Sequence, residues 1–315
     1  MKKIGLSLFV FIMLCLYGCA DDTEKRSAAS DDLSNAAETK IVKDKIGKVK
    51  LPSNPSRIAD LSGSTEELLV IGIKPVVSSN TDIEDASRFS PVVRKELGTT
   101  TVNAGWYASD INIEAVASAK PDLIIAGARH ENQYEQLQKI APTVMVPYDF
   151  NGFQERFNFI ANLFDKQEEL EKWYAAYETK AQQWAIDIKE KTKDETFAII
   201  EATAKEIRIY AATGVADMVF NDLQLSKAEG TPEPDPWGGR VTSVEALASF
   251  QPDHIILMAD NGPTILDDNN VWDSMNAVKN KHIYRITSAK NYNYAFTAMG
   301  KMELIDELGE LIVKN

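Results

Sequence analysis

Two stretches of the chain repeat one order of apolar and polar positions. Residues 113–125 read Ile-Glu-Ala-Val-Ala-Ser-Ala-Lys-Pro-Asp-Leu-Ile-Ile. Residues 244–256 read Val-Glu-Ala-Leu-Ala-Ser-Phe-Gln-Pro-Asp-His-Ile-Ile, and eight of the thirteen positions are identical. Each copy predicts a short helix, a stop imposed on the residue before proline, and an apolar strand buried on both faces. Such a repeat predicts an α/β protein of two Rossmann-like lobes, with Glu114 and Glu245 in equivalent places.

The remaining pattern fits that frame. Lys48 to Pro52 reads as an edge strand, Arg57 to Leu61 as the first buried strand, and Pro75 to Ser79 as the next. Between the last two, Ser64 and Glu67 have capping-box spacing and Gly72 closes the helix. Glu131 to Ile140 predicts a helix and Thr143 to Pro147 a strand. Asp165 to Lys191 is the one long helix, with Asp165 and Glu168 as a second capping box. Its apolar stripe is Leu170, Trp173, Tyr177, Ala181, Trp184 and Ile188. At 1.5 Å per residue it spans about 40 Å, which suits a strut between lobes. Beyond it, strands are expected at 197–201, 207–210 and 283–286. Helices are expected at 215–223, 271–275 and, amphipathic and terminal, 295–313.

The first nineteen residues have a different character. Lys2 and Lys3 precede the apolar run Ile4 to Leu16, too short to span a bilayer comfortably. Leu16-Tyr17-Gly18-Cys19 is similar to a bacterial lipobox, in which Cys19 is acylated and becomes the mature N-terminus; two acyl chains suffice for stable anchoring. The division that follows is 1–18 signal, 19–40 lipidated flexible tether, 41–164 first lobe, 165–191 connecting helix and 192–315 second lobe. Cys15 and Cys19 are the only cysteines, so the body has no disulfide. The net charge of −13 becomes −15 when Lys2 and Lys3 leave with the signal. That balance argues against nucleic acid and anionic membranes as partners, and any anionic ligand needs a local basic patch.

Catalytic signatures are missing. No Gly-x-Ser-x-Gly elbow, Walker loop, His-Glu-x-x-His or Cys-x-x-Cys occurs, and no cofactor loop is present. Three histidines, His130, His254 and His282, are too few for a direct metal centre; the latter two read as packed strand residues. Aromatics and arginines instead gather between elements: Trp106-Tyr107, Arg129, Trp237-Gly238-Gly239-Arg240 and Tyr292-Asn293-Tyr294. Gly127 to His130 follows a strand's carboxyl end, where ligands of open α/β sheets bind. Flat rings and guanidinium forks in an interlobe cleft suit a bulky, partly apolar ligand with oxygen acceptors.

Lipobox, tether, twin lobes and helical strut together resemble the iron–siderophore binding lipoproteins of ABC importers, class III solute-binding proteins. The resemblance covers nearly the whole mature chain. It implies an extracytoplasmic, lipid-anchored and monomeric receptor on the outer face of a Gram-positive membrane, without cofactor or enzymatic activity. Glu114 and Glu245 would dock on arginines of the permease. Pro236-Trp237-Gly238 ahead of Val241 to Glu245 is most similar to ferric hydroxamate receptors. Trp106, Tyr107, Arg129, Trp237, Arg240, Tyr292 and Tyr294 would then contact the ligand, with Arg129 and Arg240 on its iron-bound oxygens. The second lobe's first strand reads Ile199-Ile200-Glu201-Ala202-Thr203, lacking the paired arginines of catecholate receptors, so a hydroxamate or carboxylate-hydroxamate chelate is expected. Cleft closure is expected to be small because a continuous strut resists bending. The open alternatives are a cobalamin or haem receptor of the same fold, with His130 or Met145 as axial ligand, and a lipid-anchored enzyme acting on the chelate. A surface adhesin is disfavoured by the cleft aromatics.

Overall fold

In a computed structural model describing residues 38–147 and 151–314, the repeated Pro-Asp has one job in both halves: its carboxylate ties down the start of the neighbouring parallel strand. Asp122 accepts the backbone N–H of Arg57 at 2.8 Å and both the N–H and hydroxyl of Ser56 at 2.8 and 2.9 Å. Asp253 accepts the N–H and hydroxyl of Thr196, each at 2.8 Å. Partial burial pushes both carboxyls up, and these bonds outweigh it, so both lie below the ordinary carboxylate range. The residues of the predicted signal, Cys19 and most of the tether lie outside the described residues.

Two sheets result. The first has five parallel strands in the order Val102–Asn103, Val77–Ser78, Ile58–Asp60, Leu123–Ala126 and Thr143–Met145. Chain order reverses between Ile58–Asp60 and Leu123–Ala126, so the loops 61–64 and 127–130 flank a switch-point crevice. In the second sheet, Thr196–Ala202, His254–Met258 and Ile283–Ile286 run parallel. Ile207–Tyr210 and Gly239–Thr242 extend it antiparallel, and Ser226–Lys227 pairs with its first strand off the main path. Leu123–Ala126 and His254–Met258 are wholly buried, as apolar strands covered on both faces must be.

The long helix is Gln167–Thr192, and the predicted stripe faces inward: Leu170, Trp173, Tyr177, Ala181 and Ile188 are buried, with Trp184 half-buried. Trp173 and Tyr177 stack at 5.0 Å. It is not a solitary strut. The terminal helix Ala298–Lys314 runs against it, with Trp184 Nε1 donating to Asp306 at 2.9 Å and Lys180 pairing with the same carboxylate. Helix Phe153–Leu163, unmarked in the sequence reading, packs on its first half. Each sheet keeps its own apolar cluster on one face, around Ile124 and Met145 in the first and Ile200 and Leu257 in the second. On the other face the two cores merge. One cluster joins Ile125 and Leu123 of the first sheet, Ile199 and Ile256 of the second, and both long helices. The two lobes joined by the long helix therefore also share one apolar cluster.

Neither capping box forms. Ser64 bonds Ser62, and the carboxylate of Glu67 is turned into the interior. Asp165 has φ +56° and pairs with Lys40, while Glu168 pairs with Lys172. Thr39–Lys43 pairs antiparallel with Lys48–Pro52, so residues 39 and 40, placed in the tether by sequence, belong to a hairpin. Residues 292–294, read as a loop, end the helix Ser288–Tyr294.

A buried polar seam joins the halves behind the cleft. Helix Thr65–Val70 of the first half carries Glu66 and Glu67, both fully buried. Glu67 accepts from Arg156 at 3.0 Å, and Arg156 also donates to the Phe296 carbonyl at 2.7 Å. Glu66 accepts the Gly300 N–H of the terminal helix at 2.8 Å. Burial, then the charge of Glu67, pushes the Glu66 carboxyl up to about 8, so it stays protonated at neutral pH. The unfolded chain releases this proton near pH 4.5 and the folded one only near 8. The contribution of Glu66 to stability is therefore full below about pH 4.5 and is lost as pH rises through that window. Chemical denaturation of the native chain at pH 5 and pH 8 should show a loss of roughly 3–5 kcal/mol. Glu66→Gln should flatten it, and an equal loss in the variant would remove Glu66 as its source.

Candidate functional site

The crevice between the halves is lined from both sides. Asn80, Thr81, Ser90, Trp106 and Tyr107 of the first half face Tyr292, Asn293 and Thr297 of the second around a recess of about 40 Å³. Trp106 and Tyr107 meet edge to face at 5.8 Å. The Tyr107 ring lies against Gly63, whose φ is +82° and where a Cβ would stand 3.1 Å from the ring; the loop after the first strand must be bare to admit it. Burial raises the Tyr107 phenol above its ordinary range, so it acts as a neutral hydroxyl. Asn293 crosses the crevice, donating to Asp82 at 3.0 Å and accepting the Ile83 N–H at 3.0 Å.

At the mouth, the Arg129 guanidinium carbon lies 5.9 Å from the Trp237 ring centroid, a cation–π contact between the two halves. Trp237 is 63% exposed. Its loop is held by Asp235, which accepts the Trp237 N–H at 2.8 Å and Arg208 at 2.6 Å. The hydrogen bond from Arg208 holds the Asp235 carboxyl below its usual range. Gly238, at φ +88°, makes the turn; a Cβ there would stand 2.3 Å from the Ala212 carbonyl oxygen. Beside this loop, Glu201 accepts the hydroxyls of Tyr210 at 2.9 Å and Tyr292 at 3.3 Å. Those hydroxyls are 3.0 Å apart.

Of the residues predicted from sequence, Trp106, Tyr107 and Tyr292 thus line one recess, and Arg129 and Trp237 meet at its mouth. Arg240 stands elsewhere. It pairs in register with Ile209, whose side chain lies in the outer cluster of the second sheet, and its Nε donates to the Glu233 carbonyl. Strand alternation therefore turns Arg240 away and puts Arg208 on the face of Tyr210 and Glu201. Tyr294 is spent on the shared core and on Lys290, whose ammonium lies 3.7 Å from its ring centroid. Arg208, Glu201, Tyr210 and Asn293 escaped the sequence reading. The available signal was Glu201 and Arg208 themselves, charged residues in otherwise apolar strands.

Glu114 and Glu245 are both exposed at the openings of short helices, Ile113–Ser118 and the 3₁₀ turn Glu245–Ala248. Backbone and then Ser243 hydrogen bonds hold the Glu245 carboxyl below its usual range, so it is ionised at neutral pH. His130 and Met145 are fully buried, the first accepting the Gly127 N–H at 3.2 Å, and neither opens on the recess as an axial haem ligand would. Among the described residues one trio, Glu195, His254 and His282, brings metal-type ligand atoms together. The two rings stack at 4.5 Å and 14°, and His254 is bonded through both nitrogens, to Tyr284 and Glu195. A single ion cannot lie in the planes of two stacked rings, so this trio is a packed histidine pair with a carboxylate partner. A larger recess of about 590 Å³ borders the long helix around Tyr174, Glu178 and Asp217; none of the ligand-contact residues predicted from sequence lines it.

Residues 63–289 match the family of periplasmic binding proteins. The chain is 28% identical to the iron(3+)-hydroxamate-binding protein FhuD of Bacillus subtilis strain 168, over 97% of either chain. It is 27% identical to the Fe(3+)-citrate-binding protein YfmC of the same organism, over 90% of this chain and 89% of the other. Among solved structures, Staphylococcus aureus SirA complexed with staphyloferrin B superposes with a TM-score of 0.72 at 26% identity, covering 87% of this chain and 98% of that one.

Two alanine substitutions test the Trp237 loop. Gly238→Ala should cost roughly 2–4 kcal/mol of stability from strain and overlap, measured by chemical denaturation. Gly262→Ala, with open space around its Cα, should stay within about 0.5 kcal/mol. Equal effects would mean the tight turn is not needed.

Proposed function

Because the chain belongs to the periplasmic binding protein family, we propose that it is the extracytoplasmic receptor of an ABC importer, capturing a ferric siderophore between its two halves. The carrying observation is that Arg129 and Trp237 approach from opposite halves, while Trp106, Tyr107 and Tyr292 line a recess between the same halves. The siderophore's own oxygens fill the iron's coordination sphere, so the receptor needs no ligand atoms of its own. The inner recess is far below the 300 Å³ at which ligand pockets begin, so the chelate rests on the mouth. There Trp237 and Tyr292 present ring faces and Arg129 donates to iron-bound oxygens. Trp106 and Tyr107 form the floor.

Charge narrows the ligand. Arg208 is neutralised by Asp235, and Glu201 adds a carboxylate, which leaves Arg129, among the described residues of this group, as the cation without an ion-pair partner. Such a wall suits a neutral or weakly charged hydroxamate chelate and repels a triply anionic one. Identity to the hydroxamate-binding and citrate-binding relatives is nearly equal, so the site chemistry, not similarity, favours the hydroxamate. Acylation at Cys19 would hold the receptor on the outer leaflet. Glu114 and Glu245, one per half, would carry it onto the permease.

Titration of the mature chain with ferrioxamine, ferrichrome and ferric citrate, followed by tryptophan fluorescence, tests this. A ferric hydroxamate should quench, and Arg129→Ala should weaken binding roughly 10–100-fold, the size of a charge-assisted hydrogen bond. Arg240→Ala and Tyr294→Phe should bind as the native chain does. Absence of quenching by every chelate would refute the reading. Glu114→Ala with Glu245→Ala should abolish uptake while leaving binding intact; normal uptake would discard the docking role.

A further inference from the structure

The hairpin Thr39–Lys43/Lys48–Pro52 contradicts the charge of the rest of the molecule. It holds Lys40, Lys43, Lys45, Lys48 and Lys50 against one acid, Asp44, in a chain of net charge −13. Its two faces differ. On the inner face Val42, Val49 and buried Leu51 join the shared core, and Lys40 is spent on the Leu163 carbonyl and Asp165. Asp44 is consumed by the backbone N–H groups of Ile46, Gly47 and Met145, and Lys45 pairs with Glu131.

The outer face is left with Ile41, Lys43, Lys48 and Lys50, all exposed. Register sets Lys43 directly opposite Lys48, a like-charge pair that destabilises a hairpin, and Lys50 opposite Ile41. None of these three lysines makes an ion pair among the described residues. Ile41 is 71% exposed and Ile46, at the turn, 52%. An isoleucine among unpaired ammonium groups, with a second at the tip, has the chemistry of an interfacial element: apolar groups enter the headgroup layer and lysines reach phosphates.

Position in the chain selects the occupant. Eighteen residues, 20–37, separate Cys19 from the start of the described body. The hairpin is the first element after that stretch, so acylation at Cys19 would anchor the chain from the end at which the hairpin begins. We propose that the outer face of the hairpin rests on anionic phospholipid headgroups and orients the tethered receptor, while the acidic remainder is turned from the surface. This rests on the lipid-anchor reading of Cys19.

The body lacks cysteine, so Ile46→Cys accepts a polarity-sensitive fluorophore at one site. The acylated protein is reconstituted on phosphatidylcholine vesicles with or without phosphatidylglycerol. Emission should shift to the blue only with the anionic lipid, and the shift should vanish at high salt and in Lys43→Glu/Lys48→Glu/Lys50→Glu. A Cys19→Ser mature chain held on nickel-chelating lipid by an N-terminal histidine tag should respond in the same way. The tagged arm needs no acyl chain, so a failed anchor and an idle hairpin give different results. Equal emission on both vesicle compositions in the tagged arm, or a full shift in the triple variant, would overturn the proposal. Ferric hydroxamate quenching of the triple variant reports the binding reading separately.

Discussion

The relation between the two halves depends on charge that has been taken out of water. Glu67 and Arg156 form an ion pair with almost no exposure, and Glu66 meets the terminal helix as a neutral acid. A buried pair adds little net stability over an apolar replacement, but losing one partner leaves an uncompensated charge and costs several kcal/mol. The seam therefore acts as a positional constraint. It ties helix Thr65–Val70 to the terminal helix and to the Phe296 carbonyl through the hydrogen bonds of Gly300 and Arg156.

At the mouth of the crevice the contact of Arg129 over Trp237 is exposed, while Asn293 reaches across to Asp82 through a buried hydrogen bond. The back is dry and shared, since one apolar cluster spans both sheets. The shared apolar packing thus lies behind the crevice, and the exposed contact lies at its mouth. The expectation of small closure rests on the long helix alone; in the structure helix Phe153–Leu163 and the terminal helix also pack against it.

The misread residues share one cause. Ser64 with Glu67, and Asp165 with Glu168, have capping spacing, yet a carboxylate near a helix start serves whichever partner tertiary packing brings. For Glu67 that partner was Arg156, distant in sequence. Arg240 sits next to the right loop, but a strand's period of two sends its side chain to the other face. Arg208 inherits the inner face by the same rule. Both errors concern direction, and residue spacing carries no direction until the neighbouring strand is known.

Local order was written in the chain. The Pro-Asp repeat determined two equivalent helix-to-strand units, because proline ends the helix and the aspartate needs N–H donors from an adjacent strand. The 3.6-residue stripe determined which face of Gln167–Thr192 is buried, because only one face is apolar. Tertiary structure alone decided how the two units join, that their inner cores merge, and that Arg129 and Trp237 meet. Those outcomes depend on long-range packing and on buried polar partners whose pairing is blind to sequence distance.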